Sequence, residues 1–317
     1  MRGVTLGSRL RGSLAGTCIA ITAALLASGC HATPAADMAQ AGRAVPASSS
    51  PPAAAAPPAG PVVALGDSYT AGALLPFDRH ATPAGCLRSA KAYPALVARA
   101  LGAPLRDVAC TSAGVKNMTA AQSTDLGTNP PQLSALAPDD RLVLLTLSGD
   151  DMGFLNTLQE CVKLSFTRPW GSPCATHYGN QPTAALSAET PKIAGLLAAI
   201  ALRAPRARVV VVGYPDLFPQ SGGCWPAVPI TNGDIAYLRA FEVRLNAMLA
   251  TAAHAASATF VNTYTPTVGH DFCQPEHNRD VEGLVPGSLT LPFHPNARGQ
   301  AAMAAAVLAA VIRSPLN

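Results

Sequence analysis

The stretch Pro61-Val62-Val63-Ala64-Leu65-Gly66-Asp67-Ser68-Tyr69 decides the interpretation of this chain. Its first half is apolar, rich in β-branched residues and bounded by Pro and Gly, which is typical of a core strand of a parallel sheet. Ser68 follows where that strand ends, and ligands gather at the carboxyl ends of such strands. Gly, Asp and Ser also favour plain turns. The motif alone therefore leaves open whether this is a turn or the site of a nucleophile.

Beyond this stretch, strand-like and helix-like segments alternate along the chain. Strands are predicted at Val62–Leu65, Leu105–Ala109, Arg141–Leu147, Arg208–Val212 and Thr259–Asn262. Helices are predicted at Ala90–Leu101, Met152–Leu164, Lys192–Arg203, Asp234–Ala253 and Ala297–Ile312. Strand and helix in repetition indicate a parallel sheet covered on both faces. The predicted fold is α/β, a three-layer α/β/α sandwich of the flavodoxin-like type, with the active site above the strand ends.

Three other loops carry groups that suit a reactive serine. Thr111-Ser112-Ala113-Gly114 and Ser148-Gly149-Asp150-Asp151 each follow a predicted strand. Phe293-His294-Pro295-Asn296 stands directly before the last predicted helix. A serine needs a base to become nucleophilic, and histidine is the usual one. Four loops at one edge of the predicted sheet thus carry groups capable of chemistry.

The order and wording of these motifs resemble the SGNH, or GDSL-type, hydrolase family, in particular its secreted bacterial esterases and lipases. The resemblance runs from about Pro61 to the end of the chain. It implies that Ser68 is the nucleophile and also offers its backbone N–H to the oxyanion. It implies further that the Gly114 N–H is a second donor and that His294 is the general base and acid, with no metal or other cofactor.

The chain departs from the family pattern at the third oxyanion donor. The family places there the Asn of a Gly-Gly-Asn-Asp word, and the aligned residue is Asp150. Losing one donor costs about 3 to 4 kcal/mol of transition-state stabilisation, and an ionised carboxylate would add repulsion. A protonated Asp150 still donates, and burial and the adjacent Asp151 both raise a carboxyl pKa. We therefore predict a protonated Asp150 and an activity that falls as the pH rises through its pKa.

A second departure concerns the acid of the catalytic triad. In the family this acid lies three residues before the histidine, where the chain has Leu291. A backbone carbonyl can hold the imidazole tautomer and orientation in place of a carboxylate. Some members of the family resemble Ser–His dyads with a main-chain carbonyl in that role. The Leu291 carbonyl is therefore the expected partner of His294 Nδ1, and Asp271 and Asp280 are alternatives from the preceding loop.

Further side chains have both a functional and a structural interpretation. His270 is a candidate for substrate contact, because the resembling family places its loop near the site; otherwise it is a structural loop histidine. Tryptophans beside proline could line a substrate pocket or simply pack, and arginines could hold an acidic group or lie in solvent. Surface positions are expected for the two other loop histidines. The tryptophans are Trp170 and Trp225, the arginines are Arg168 and Arg298, and the two histidines are His80 and His177.

The first 30 residues read as an export signal. Arg2, Arg9 and Arg11 precede an uncharged stretch of mostly apolar and small residues from Gly12 to Gly29. Ala27-Ser28-Gly29-Cys30 resembles a bacterial lipobox, so cleavage would leave Cys30 as a lipidated N-terminus anchored in a membrane. Ordinary cleavage with secretion, or an uncleaved anchor, are the alternatives. The many Gly, Ser and Thr residues make a poor membrane span.

Composition divides the remainder into a linker and one catalytic domain. Residues 31–60 are dominated by Ala, Pro and Ser, too little apolar surface for a core, and are predicted to be a spacer. Residues 61–317 suit a single SGNH hydrolase domain without room for a second. The formal charge of +4 falls to +1 without the three leader arginines. Near-neutral charge gives no support for nucleic-acid binding, and a monomer is expected.

The cysteines agree with export. Beside Cys18 in the leader and Cys30 at its end, six lie in the domain: Cys86, Cys110, Cys161, Cys174, Cys224 and Cys273. An even number in an exported chain indicates disulfides, and six cysteines allow 15 connectivities. The secreted branch of the resembling family pairs them sequentially, which implies Cys86 with Cys110, Cys161 with Cys174, and Cys224 with Cys273. Without a C-x-x-C pair or two histidines at helical spacing, a metal site is disfavoured.

The predicted function is that of an exported serine ester hydrolase, an esterase or lipase, acting on a small-molecule or lipid ester through an acyl-enzyme on Ser68. An acyltransferase would leave the same signature. A binding lipoprotein of the cell envelope, on a hydrolase fold that has lost its chemistry, is the alternative from another class. Asp150 and Leu291 favour that alternative, whereas Ser68 and His294 in their family motifs favour the enzyme.

Overall fold

The centre of the molecule is a sheet built from β-branched and aliphatic runs. A computed structural model describes residues 60–76 and 82–313. In chain order the strands are β1 Val62–Gly66, β2 Leu105–Asp107, β3 Gln122–Thr124, β4 Gly127–Asn129, β5 Leu142–Thr146, β6 Arg208–Val212 and β7 Thr259–Val261. β3 and β4 form a separate antiparallel hairpin. The other five strands form one sheet.

That sheet is parallel throughout, in the order β2-β1-β5-β6-β7. Val62 of β1 lies between Leu105 of β2 and Leu142 of β5, which sets the register. Numbered within this sheet, the strands follow the flavodoxin-like order 2-1-3-4-5. Successive strands are added first on one side of the first strand and then on its other side. The carboxyl ends of β1 and β5 therefore border the crevice in which such folds bind ligands. The predicted α/β fold with a parallel sheet is confirmed.

Nine α-helices are present in the described residues. They are α1 Ser68–Ala71, α2 Tyr93–Ala100, α3 Lys116–Thr119, α4 Phe154–Thr167, α5 Pro173–Tyr178, α6 Gln181–Arg203, α7 Asn232–Ala255, α8 Tyr264–Thr267 and α9 Ala297–Arg313. Single 3-10 turns lie at Ala84–Cys86 and Gln132–Ala135. Thr231 caps α7 by accepting from the Asp234 N–H, as a threonine at an N-cap does.

The helices cover both faces of the sheet, and alternate strand residues divide between them. Val62, Leu142 and Val210 pack against α2 and α9, where Met303 and Val307 are buried. This side is called the α2–α9 face below. Val63, Leu65, Val143, Leu145 and Val211 point the other way and pack against α4, α6 and α7, and this side is called the pocket face.

The main difference from the sequence prediction lies in α6, which begins at Gln181 rather than at Lys192. Pro191 lies inside this helix, although proline lacks the N–H that the helix interior uses. α6 is also the one described helix with the length and mean hydropathy, 1.3, of a membrane span. Its Ile193, Leu197 and Ile200 pack in the core of the pocket face.

Three disulfides join the loops around the sheet. They link Cys86 with Cys110, Cys161 with Cys174, and Cys224 with Cys273, which are the pairs that the family resemblance implies. The first ties the segment after α1 to the loop after β2. The third ties the loop after β6 to the segment that precedes His294. The signal segment with Cys18 and Cys30, the linker up to residue 59, and His80 lie outside the described residues.

Candidate active site

Ser68 and His294 meet although 226 residues separate them along the chain. Ser68 Oγ lies 2.8 Å from His294 Nε2, and both residues are buried. Ser68 opens α1 directly after β1, and Asp67 caps that helix by accepting from the Tyr69 N–H at 2.9 Å. The cap fixes the turn by which the strand delivers the serine hydroxyl to the crevice.

The second ring nitrogen of His294 determines its tautomer. Nδ1 lies 2.8 Å from the carbonyl oxygen of Pro292, which can only accept, so Nδ1 carries the proton. In the neutral ring Nε2 then keeps a lone pair, and it faces the hydroxyl of Ser68. Tyr69 supports the arrangement, since its ring lies 4.7 Å from the imidazole and its hydroxyl donates to the Phe293 carbonyl at 2.6 Å.

The carbonyl that orients the imidazole was expected to be that of Leu291, but it belongs to the next residue, Pro292. The Leu291 carbonyl accepts from the His294 backbone N–H at 3.2 Å and is not the partner of Nδ1. Phe293, which lies between Pro292 and His294, has a φ of 60°, and this tight turn directs the Pro292 carbonyl to the ring.

The alternative acids are engaged elsewhere. Asp271 accepts from the Cys273 N–H at 2.8 Å, and Asp280 lies 3.5 Å from Arg298 Nε. Within the described residues neither carboxylate hydrogen-bonds His294.

Gly114 is buried in the loop after β2 and is not among the residues that line the pocket of Ser68 and His294. The Gly114 N–H donates to Asn117 Oδ1 at 3.0 Å, so this expected oxyanion donor already has an acceptor. The Val115 N–H donates to the Asp151 carboxylate. A Cβ at Gly114 would lie 2.5 Å from Asp151 Oδ1, so a larger residue there would have to displace the Asp151 carboxylate. By contrast, the Ser68 N–H makes no hydrogen bond within the described residues.

Asp150 lines the same pocket as Ser68 and His294. Its carboxyl makes no hydrogen bond to any residue that the structure describes. Burial first, and then the charge of Asp151, raise the pKa of Asp150 to about 6. Burial lowers the pKa of His294 to about 4, against a smaller opposing effect of the Pro292 carbonyl. Between these values the imidazole is neutral while the carboxyl still holds its proton.

A buried network joins the serine loop to the Asp150 loop. The hydroxyl of Tyr214 donates to Asp67 Oδ2 at 2.6 Å and accepts from the Gly149 N–H at 2.8 Å. Burial, followed by the charge of Asp150, raises the pKa of Asp67 well above its usual range. Tyr214 follows β6 and so ties the ends of three neighbouring strands together.

The pocket beside Ser68 is open to solvent, and its empty space, with that opening included, is about 480 Å³. Its walls come mainly from α4, α7 and the loops that follow β6 and precede α9. They are largely apolar: Phe154, Leu155, Leu158, Leu217, Leu245 and Phe293. One acid, Glu242, lies among them. Such a lining suits the acyl or alkyl part of a ligand.

Several predicted candidates lie away from this pocket. His270 does not line it, and its Nδ1 lies 2.6 Å from the Asn278 carbonyl. His177 and Arg168 are exposed, and Arg298 faces Asp280. The side chains of two tryptophans are also exposed and border a separate surface depression: Trp170 and Trp225. No three His, Cys, Asp or Glu side chains in residues 60–76 and 82–313 form a group that could hold a metal.

The residues that sequence reasoning missed had signals of different strength. Tyr214 comes two residues after a predicted strand, the position at which site residues are expected. Glu242 interrupts the apolar positions Leu238, Leu245 and Leu249 of α7, a misplaced acid in a helical pattern. Asn117 carries no such signal, because its contact depends on the local turn around Gly114.

Comparisons with known proteins agree with this geometry. The sequence model of the GDSL-like lipase/acylhydrolase family matches residues 64–302. Lipase 2 of Streptomyces coelicolor is 38% identical over 250 residues, 76% of this chain and 82% of that protein. The crystal structure of phospholipase A1 from Streptomyces albidoflavus NA297 has a TM-score of 0.69 at 25% identity, covering 80% of this chain and 100% of that one. The crystal structure of the extracellular lipase from Streptomyces rimosus has a TM-score of 0.66 at 26% identity, and it covers 80% of this chain and 100% of that one.

The parallel sheet and these structural neighbours define the class, which is that of the SGNH hydrolases. The chain belongs to the GDSL-like lipase/acylhydrolase family. It is thus an ester hydrolase, and both the resemblance seen in the motifs and the predicted enzyme class are confirmed.

Proposed function

We propose that the chain is an exported serine esterase or lipase in which Ser68 is the nucleophile and His294 the general base and acid. The observation that carries the proposal is the 2.8 Å distance between Ser68 Oγ and His294 Nε2, with Nδ1 facing a carbonyl. That arrangement gives Nε2 the lone pair needed to take the hydroxyl proton.

The reaction proceeds in two halves. Ser68 Oγ attacks the ester carbonyl carbon as its proton passes to His294 Nε2, and the carbonyl oxygen becomes an oxyanion. The intermediate collapses, the C–O bond to the alcohol breaks, and the imidazolium returns its proton to the leaving alkoxide. Water then attacks the acyl-enzyme with the same proton transfers, releasing the acid and Ser68. The Pro292 carbonyl orients the imidazole throughout.

Three groups hold the oxyanion in this proposal. The Ser68 N–H is available, because it has no acceptor in the described residues. The Gly114 N–H, which donates to Asn117 Oδ1, is either shared between Asn117 and the oxyanion or released by Asn117 to the oxyanion. Asp150 donates through a protonated carboxyl, which is supported by its burial and by the lack of any other hydrogen bond to it from the described residues. Donors preorganised at a developing charge are worth the most in a site that excludes water.

This assignment sets the pH dependence of kcat/KM. His294 must be neutral, so activity rises as the pH passes its pKa of about 4. Asp150 must be protonated, so activity falls as the pH passes its pKa of about 6. The expected profile is a bell with an acidic optimum between these values.

A serine-reactive phosphonate probe tests the nucleophile. At pH 5 the wild type and Ser123→Ala, a control on the exposed β3–β4 hairpin, should be labelled, and Ser68→Ala should not. Intact-protein mass spectrometry measures the label. If the wild type is not labelled between pH 4 and pH 8, Ser68 is not an active nucleophile. The alternative, a protein that binds without catalysis, would then be favoured.

Export is part of the same proposal. It is supported by the three disulfides, which persist in oxidising compartments, and by the similarity to an extracellular lipase. In the proposed organisation, residues 1–30 are a signal with a lipobox, residues 31–60 a spacer, and residues 61–317 a monomeric catalytic domain. Lipidation of Cys30 rests on the sequence alone. Mass spectrometry of the mature N-terminus distinguishes a lipidated Cys30 from ordinary cleavage.

A further inference from the structure

Glu242 is a carboxylic acid inside an otherwise apolar part of the pocket. It lies on α7 in the helical stripe that includes Leu238 and Leu245, and it borders the same cavity as Ser68 and His294. Only 1% of it is exposed to solvent. A helix residue that only packs at such a position is typically apolar, like its neighbours in the stripe. A buried acid here therefore indicates a further role.

The polar contacts of Glu242 satisfy part of the carboxyl group. Its two oxygens lie 3.2 and 3.4 Å from the Leu217 nitrogen, whose N–H they share. No other hydrogen bond reaches it from the described residues, and none of their salt bridges includes it. The acid therefore has unused hydrogen-bonding capacity next to the cavity.

The chemical state of Glu242 follows from this environment. An ionised carboxylate without a cation is very unfavourable in an apolar interior. Burial, and then the charge of Asp216, raise the pKa of Glu242 well above its usual range, against smaller effects of the Leu217 N–H and Arg239. The neutral acid presents an O–H donor, and its one hydrogen-bond partner among the described residues, the Leu217 N–H, cannot accept from it. A ligand oxygen at this point would remove the cost of leaving that donor unpaired.

We propose that Glu242 is a specificity-determining residue, which selects acyl groups that carry a hydroxyl along the chain over plain alkyl chains of equal length. The proposal rests on the proposed function of Ser68 and His294, since it requires the acyl chain to enter this pocket. A hydroxyl both accepts from the acid O–H and donates to its carbonyl oxygen. An unsubstituted alkyl chain would cover Glu242 and leave its O–H without an acceptor.

The test compares p-nitrophenyl octanoate with its positional hydroxy isomers at pH 5, using the full-length enzyme. At least one hydroxyoctanoate should have a kcat/KM about 10- to 100-fold above that of octanoate, the effect of one or two buried hydrogen bonds. Glu242→Leu should abolish or reverse that ratio, and Glu242→Gln, which still donates, should keep most of it. Glu160→Leu, which removes a surface acid paired with Lys163, is the matched control and should behave as the wild type.

Thermal unfolding checks that each variant is folded, and Glu242→Met replaces Glu242→Leu if the latter is not. The proposal is overturned if no hydroxy isomer exceeds octanoate in the wild type, or if the apolar variants keep the wild-type ratio. In either case turnover of the plain ester and phosphonate labelling of Ser68 would persist. Loss of both of those signals would instead refute the proposed function.

Discussion

The two faces of the sheet use the same strands for different purposes. On the α2–α9 face the buried side chains are mainly aliphatic, and the acid that approaches it, Asp107, lies 4.0 Å from Arg88 Nε. On the pocket face three buried or half-buried acids surround the Ser68 pocket: Asp67, Asp150 and Glu242. None of the salt bridges in the described part of the chain includes any of these three.

The contrast shows where stability and reactivity are separated. Apolar burial on the α2–α9 face stabilises the fold at about 25 cal/mol per Å² and does not depend on pH. Without a salt-bridge partner among the described residues, the acids on the pocket face favour their neutral forms, and a neutral carboxyl can donate a hydrogen bond where an ordinary carboxylate cannot. Perturbed acids beside a cavity are typical of functional sites. The two faces should therefore respond differently to substitution.

The largest effect should come from the centre of the pocket face. Ser68→Ala should reduce kcat on the order of 10⁶-fold, because the residues of such a pair act as a unit. The free energy of unfolding should change little, since a single hydroxyl is removed. Steady-state kinetics on p-nitrophenyl butyrate together with urea denaturation measure the two quantities. A variant that retained more than a hundredth of the wild-type kcat would exclude Ser68 as the nucleophile.

The next largest effect concerns the unpaired acid next to the nucleophile. Asp150→Asn should raise kcat/KM at pH 8 by about 10²- to 10³-fold, because a permanent donor replaces an ionised carboxylate. At pH 5 the change should be small, since Asp150 is already protonated below its pKa of about 6. Asp125→Asn, on the exposed hairpin turn, should leave the pH profile unchanged. Lower activity of Asp150→Asn at pH 8 would contradict a protonated donor.

On the α2–α9 face the response should be one of stability alone. Met303→Ala should lower the free energy of unfolding by about 3 kcal/mol, because it leaves a cavity in a fully buried position. The pH profile of kcat/KM should keep its shape. Leu202→Ala, at a site that is 82% exposed, is the control and should cost far less. A shifted pH optimum in Met303→Ala would show that the two faces are coupled.

The smallest effect is expected for the tyrosine that joins the strand ends. Tyr214→Phe removes the partner of both Asp67 and the Gly149 N–H, and should cost about 1 to 3 kcal/mol of stability. Losing the donated hydrogen bond should also raise the pKa of Asp67 further. Tyr237→Phe, whose hydroxyl donates to Gly179 at the surface, is the matched control. Equal stability losses in the two variants would argue against a special role for the buried network.

The sequence predicted what is encoded locally and missed what depends on three-dimensional contacts. β1 and the position of Ser68 at its end follow from a short local motif, whereas the meeting with His294, which follows no strand directly and precedes α9, was implied by the family resemblance. The Pro292 carbonyl could not be predicted, because it depends on a left-handed Phe293, an unusual conformation for a bulky residue. The start of α6 was missed because the helix tolerates Pro191, and tertiary packing decides that.

The distance along the chain between Ser68 and His294, the proposed nucleophile and base, has a consequence for biosynthesis. Because Ser68 and His294 lie 226 positions apart, a growing polypeptide on the ribosome does not contain the proposed catalytic pair until its last helix is about to be made. In the proposed export of an unfolded chain, Ser68 and His294 likewise stay apart during passage through the bilayer. The proposed catalytic pair therefore forms only where the complete polypeptide folds.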